Sequence, residues 1–574
     1  MSAPPRVEAP AYYGACMLKR DEWVIAADPV AMIMLKRIFA RVDKGDLGQV
    51  KIKRNDETDK LLQWFLDLYP LEMTDRDAAE LHRGAETHRA RAKLVKRILD
   101  HDYTPAEYSL SMPPRDYQRV AADMWLKMGG LLLADETGTG KTISAITGLS
   151  DPSTRPALVV VPGHHLAKQW REQLLRCLPG IRVHLAVGQR PTDPALLPGG
   201  WPDVVVCPYH LLQHWAEYLR PKIRAIVYDE VAELRHTDSE KYKAARGLSA
   251  AAPRVIGMSA TPSYNYGGEY YAILDAVRPG CVGTWEEFDR EWCVGEDERR
   301  KKRIRNSQAF GLWLDQSGIR LARTRKDVGR ELPRRTVVPT YVDTDMSAYG
   351  KAMTGASECA RAILAQTLGK GAGLSKMQAA SEMDRIMRQA TGIAKAPAIA
   401  GFIRMLVESG ERPVVFGHHL DVYAVLEEQL DDLKPGFVTG RESTSKKAEA
   451  IRRFTARETD VLILGLRAQA TGLDGLQFHS DVVVIGELDW SPKIHEQAIS
   501  RVDRDREPVA PNRPVVVYYL LSEMGSDPVV ADVCGAKDAN TTPISYPDMD
   551  KIEAPEVDVN RARRLAEAHL QRHR

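Results

Sequence analysis

The chain has 574 residues, 44% of them hydrophobic and 28% charged, with a net charge of +2. That is too long for one ordinary domain of roughly 100–200 residues, apolar enough for several cores, and too balanced in charge to demand or exclude a nucleic-acid partner. Seven scattered cysteines without a Cys-x-x-Cys pair argue against a zinc site or a disulfide framework. The N-terminus lacks a leader pattern and no apolar run reaches the ~20 residues of a membrane helix, so a soluble, cytoplasmic protein is expected.

Residues 1–108 hold strand-like pieces, such as 22–26, and end in a basic helical stretch at 88–100. They are expected to form a small α+β accessory region without catalytic motifs, which either selects what the rest of the chain acts on or packs as an extension. Pro113 and Pro114 mark a boundary, because consecutive prolines stop regular structure. Over 109–275, short apolar runs at 130–134, 157–161, 203–207, 225–228 and 254–258 alternate with helical segments. Continuous apolar strands between helices mean a parallel sheet covered on both faces. The stretch 276–410 is charged and reads as a mostly helical connector. A second α/β series fills 411–530, with strands at 413–416, 461–464, 481–485 and 514–520, and 531–574 is a tail with a basic helix.

The sharpest local signal is the run Asp135, Glu136, Thr137, Gly138, Thr139, Gly140, Lys141 and Thr142, between an apolar strand and a helix. Backbone N–H groups of such a turn cradle phosphate oxygens. Lys141 is placed to neutralise the β and γ phosphates of ATP, and Thr142 to hold Mg²⁺. Residues 224–228 form an apolar strand ending in Asp229 and Glu230. Strand C-termini are where α/β sheets place chemistry. Asp229 is a candidate Mg²⁺ ligand and Glu230 a candidate for polarising the attacking water. Ser259 and Thr261 follow the next strand and can bridge the carboxylates to neighbouring backbone.

These residues resemble superfamily 2 motors, and Asp135 to Thr142 spells the phosphate loop as Swi/Snf-related DNA translocases do. The resemblance implies that Gln118, in Arg115-Asp116-Tyr117-Gln118, reads the adenine edge, and that Val161-Pro162 with Gln169-Trp170 faces DNA. The stretch from Leu321 through Arg325 and Val328 to Pro333 is similar to the connector into a second lobe. Ala232 departs from the histidine usual in the acidic box. In the second lobe, Gly472 matches the family pattern and Asp474 departs from it, both being candidate nucleotide contacts. Arg501 and Arg504 are the motif's two arginines, expected on one helical face and implied to act on the γ phosphate; in isolation each reads as a surface salt bridge. Asp503 and Asp505 differ from the usual continuation.

The resemblance covers about residues 110–525. It implies two tandem RecA-like lobes, ATP and Mg²⁺ as cofactors, and movement on duplex, forked or junction DNA, with replication or recombination proteins as candidate partners. The compact chain resembles bacterial or phage members. The alternatives are a strand-separating helicase on single-stranded DNA or RNA, and an inactive DNA-binding scaffold. The basic runs at 88–97, 299–305 and 561–574 are candidate phosphate contacts, the second foremost.

Overall fold

The computed structural model describes residues 12–39, 41–42, 48–191, 193, 200–260, 262, 268–295, 302–330, 335–353, 373–466, 475–504, 514–534 and 544. Gly472, Asp474, Thr261, Asp505, Arg299–Lys301 and the basic tail lie outside them. By contacts the chain divides into two units. One comprises 1–135, 140–322 and 544–548, the other 136–139, 323–543 and 549–574.

The first unit is built on a seven-stranded sheet, all parallel. Its spatial order is Arg320–Leu321, Gly130–Leu133, Arg254–Met258, Ala225–Asp229, Ala157–Val161, Val204–Pro208, Val183–Leu185. Side chains alternate across a strand, so each apolar run feeds two cores. Leu132, Leu158 and Val205 pack on one face, and Leu131, Leu133, Val159 and Val206 on the other. This is why the strands read as unbroken apolar runs.

Residues 276–410, read as one connector, are divided between the units. Arg320–Leu321 adds the edge strand beside Gly130–Leu133, and Thr336–Tyr341 pairs in parallel with Val516–Leu521 of the other sheet.

An antiparallel three-stranded sheet (Gly14–Lys19, Glu22–Ala27, Val50–Lys53) and three helices precede this core. The helix Asp56–Leu68 is held to the sheet by Asp59, which accepts from the Trp23 indole at 2.6 Å and Arg54 at 3.1 Å. Gly84 of the helix Asp75–Leu99 passes so close that an added Cβ would lie 1.8 Å from Asp59 Oδ2. The C-terminal half of that helix joins the main core through Val95 and Ile98. Asp123 then accepts from Tyr103 Oη at 2.7 Å and Ala106 N at 2.9 Å, and Tyr108 Oη bonds it too at 2.5 Å. The accessory region is therefore packed into the first unit.

The second unit is a six-stranded parallel sheet ordered Thr336–Tyr341, Val516–Leu521, Val482–Ile485, Pro413–Gly417, Leu462–Gly465, Gly436–Val438. Two α/β lobes of parallel sheet are present, as the sequence implies. The helix Gly373–Glu408 contains a segment, Ser381–Glu408, long and apolar enough by length and composition to cross a membrane, where the sequence alone suggests none. More than half of its most apolar stretch is buried in the protein itself. Its Lys395, also buried, donates to Asp527 at 2.6 Å and to the Leu520 carbonyl at 2.8 Å, so the segment serves as a core helix.

Candidate active site

The strand Gly130–Leu133 leads into the glycine turn, and the helix Lys141–Leu149 leaves it. Gly138 and Gly140 adopt φ of +83° and +79°, a region costing other residues about 1–2 kcal/mol. Glycine there leaves room for a close backbone approach, and the helix that follows brings its N-terminus to the same turn, a position that favours phosphate. Lys141 Nζ donates to the Asp135 carbonyl at 2.7 Å, and Thr139 Oγ1 to the Glu136 carbonyl at 2.9 Å. The lysine is thus held at the start of the turn it is expected to serve, and the loop fits a nucleoside triphosphate.

Gln118 lies on the helix Asp116–Met128 and is buried. Its Oε1 accepts from Arg115 N at 3.0 Å, and its Nε2 lies 3.5 Å from the Gly140 carbonyl. The glutamine implied to read adenine therefore caps its own helix and touches the loop.

Asp229 ends its strand one sheet position beyond Arg254–Met258. Its carboxylate accepts from the Trp170 indole N–H at 2.8 Å and from Glu230 N at 3.1 Å, and its carbonyl from Tyr209 Oη at 3.0 Å. Burial pushes the Asp229 carboxyl above the usual range, opposed by the Trp170 hydrogen bond, the Glu230 N–H and the positive charge of Lys141. Glu230 adopts φ +48°, left-handed for a residue with a full side chain. Strain of this kind concentrates at functional sites. Ser259 is buried, with its N–H on the Leu133 carbonyl at 3.2 Å.

In the second unit the helix Pro492–Ile499 stops short of the arginines. Arg501 and Arg504 sit in the turn that follows, whose bonds include Arg501 N to the Ala498 carbonyl at 3.1 Å and Arg504 N to Val502 at 2.9 Å. The expected regular helix through both arginines is corrected by this turn, where bonds to residues two and three back are mixed with the one helical bond from Asp503 N to the Ile499 carbonyl at 2.9 Å. Arg504 Nε donates to the Ser500 carbonyl at 2.7 Å. Within the same unit, Arg325 donates to the carbonyls of Thr137 at 2.8 Å and Asp503 at 3.0 Å, and its backbone N–H to Glu136 at 2.8 Å. Arg335 grips Glu496 through two bonds of 2.6 and 2.8 Å.

Trp170, which the resemblance turns toward DNA, is instead buried with its indole on Asp229; sequence reasoning also missed Tyr209 as a partner of Asp229, and Arg325 as a partner of Glu136 and Asp503. It also missed Glu487, a buried carboxylate that bonds His419 Nδ1 at 2.6 Å and accepts from the backbone N–H groups of His418 and His419. An apolar strand run ahead of His418-His419 was the one available signal.

The SNF2-related domain matches residues 58–389, more than half of the chain, and the helicase conserved C-terminal domain matches 395–506. The chain belongs to the SNF2-related family. Membership makes it an ATPase of the helicase type, with RecA-like lobes. This SNF2-related chain is 28% identical over 448 residues to the SWI/SNF-related matrix-associated actin-dependent regulator of chromatin subfamily A-like protein 1 of Xenopus tropicalis, covering 76% of this chain and 45% of that protein. It is 26% identical over 446 residues to the DNA annealing helicase and endonuclease ZRANB3 of Mus musculus, covering 75% and 40%. The chain spans less than half the length of these curated relatives. The Sulfolobus solfataricus SWI2/SNF2 ATPase core in complex with dsDNA is similar at 18% identity and a TM-score of 0.37, over 78% of this chain and 96% of that one.

Proposed function

We propose that the protein couples ATP hydrolysis to movement on duplex or branched DNA. The observation that carries this reading is the meeting, on one sheet edge, of a phosphate cradle with Lys141 and of Asp229 ending a strand two places away. Their positioning is what phosphoryl transfer needs, since its catalysis is mostly placement and charge stabilisation. Lys141 takes the β and γ phosphates. Thr142 and Asp229 would hold Mg²⁺, which would supply charge neutralisation at the phosphates. Glu230 orients and polarises water, and Arg501 and Arg504 supply positive charge to the γ phosphate. DNA as the track is supported by family membership and by a relative described as a DNA annealing helicase.

Residues 12–108 carry no catalytic group, and their long helix presents exposed Arg89 and Lys93. We assign them a part in choosing the DNA structure, alongside their packing role.

Displacement of a third strand from duplex DNA tests the reading, because it reports movement without strand separation. The parent should displace it with ATP, and Lys141→Ala should not, while remaining folded. Displacement by folded Lys141→Ala at the parental rate overturns the assignment. Unwinding of a duplex from a single-stranded tail, with no triplex displacement, favours the strand-separating alternative.

A further inference from the structure

The helix His164–Cys177 has two faces of different character. Ala167, Trp170, Leu174 and Cys177 are buried, while His164, Lys168 and Arg171 are exposed. The spacings i, i+4, i+7 put the second set in one outward stripe. Lys168 and Trp170, two residues apart, point to opposite sides. The inward tryptophan is not simply core, because its indole N–H ends on Asp229 Oδ2 at 2.8 Å.

A second helix, Tyr209–Leu219, repeats the arrangement. Its first residue donates Tyr209 Oη to the Asp229 carbonyl at 3.0 Å, and its second, His210, is exposed and meets the His164 ring edge-on at 4.9 Å between centroids. Of the strands ahead of these helices, Ala157–Val161 lies next to Ala225–Asp229 and Val204–Pro208 lies one place further on, all three parallel. Both helix N-termini therefore emerge at the sheet edge where Asp229 ends. Trp170 and Tyr209 hold the side chain and the main chain of the same residue from two elements.

We propose that these two helices form the link by which DNA sets the position of Asp229: the exposed His164, Lys168 and Arg171 stripe, with His210 beside it, meets the phosphate backbone, and Trp170 and Tyr209 carry the resulting shift to the carboxylate. The inference rests on the DNA-driven ATPase reading above. Trp170 and Tyr209 are positioning residues in it. A rigid helix with phosphate-facing cations on one side and a single hydrogen bond to the carboxylate on the other needs only a small displacement to alter that bond, since hydrogen bonds weaken steeply with angle and length. Lys168 and Arg171 give the stripe its charge, and each phosphate contact contributes to salt dependence.

The test uses the full chain with Trp170→Phe, which keeps a ring and removes the N–H, and Tyr209→Phe, which removes only a hydroxyl. Four quantities are read: thermal unfolding, duplex affinity, the gain in fluorescent ADP affinity on adding Mg²⁺, and ATPase rate with and without saturating duplex. For a folded Trp170→Phe that binds duplex within about twofold of the parent, the ratio of stimulated to unstimulated rate should fall at least fivefold, and the Mg²⁺-dependent gain in ADP affinity should shrink. Lys168→Glu with Arg171→Glu should lower the same ratio at duplex concentrations that saturate the parent. Equal loss of both rates, or loss of neither, in folded Trp170→Phe overturns the link. If Trp170→Phe does not fold, Tyr209→Phe decides by the same ratio. A parent whose rate no duplex raises overturns the DNA-driven reading and the link with it, whereas a stimulated parent with an equally stimulated variant overturns the link alone.

Discussion

Gln118 and Gly140 are in contact: the glutamine amide nitrogen lies 3.5 Å from the glycine carbonyl, and a Cβ built on Gly140 would come within 2.6 Å of it. Gly140 also holds φ +79°. Gly140→Ala must therefore shift either the loop or the buried glutamine, and carries the left-handed penalty of about 1–2 kcal/mol besides. The expected outcome is at least a tenfold loss of ATP affinity in a folded protein, measured by fluorescent nucleotide titration. Parental affinity would show that this turn does not receive the phosphates.

Glu230 gives a prediction of opposite signs. Its φ of +48° is left-handed, so Glu230→Gly removes strain and should raise Tm, on the order of 2 °C, while abolishing turnover. Glu230→Gln keeps the shape and loses the base. It should bind ATP with near-parental affinity and not hydrolyse it. Calorimetry and a single-turnover assay measure the two effects. A folded Glu230→Gln that binds no ATP would make Glu230 a binding residue instead.

Arg504 bonds the Ser500 carbonyl through Nε. Arg504→Ala is expected to lower kcat by about 10³–10⁵, the range for arginines that stabilise phosphoryl transfer, with ATP affinity changed less than threefold. Steady-state kinetics measure it. An unchanged kcat would reduce Arg504 to a brace of its own turn.

The accessory region calls for substitution rather than deletion. A chain starting near Ser109 loses Val95 and Ile98 from the core, about 1.5–3 kcal/mol each, and leaves Asp123 without Tyr103, Ala106 and Tyr108. That truncation should unfold at a clearly lower temperature. Arg89→Glu with Lys93→Glu changes only exposed positions. It should weaken forked-DNA binding and flatten its salt dependence by about 0.9 for each phosphate no longer neutralised, with the duplex-stimulated rate retained. Unchanged fork affinity and salt slope would leave packing as the region's sole role.

Much of this molecule is legible in its sequence where signals are local. The apolar run 130–134 ahead of Gly138, Gly140 and Lys141 marks both strand and cradle, and 224–228 marks the strand that delivers Asp229. What was not legible is long-range or too short to have a period. Trp170 lies 59 residues from Asp229 in the chain, and Arg325 lies 188 from Thr137; no spacing rule links them. The edge strand Arg320–Leu321 has two residues, too few to alternate. The helix Asp75–Leu99 reads as basic and solvated, although Val95 and Ile98 bury its end. Arg501 and Arg504 have helical spacing, but the helix ends at Ile499, and only hydrogen bonds reveal that.

Whether DNA drives the ATPase is read most directly from the ATP hydrolysis rate with single-stranded, duplex and forked DNA compared side by side at matched nucleotide concentration and salt. Duplex and forked DNA should stimulate strongly and single strands weakly, with no stimulation in Glu230→Gln. A rate raised by single strands or RNA but not by duplex, or raised by no nucleic acid, would contradict the DNA-driven reading.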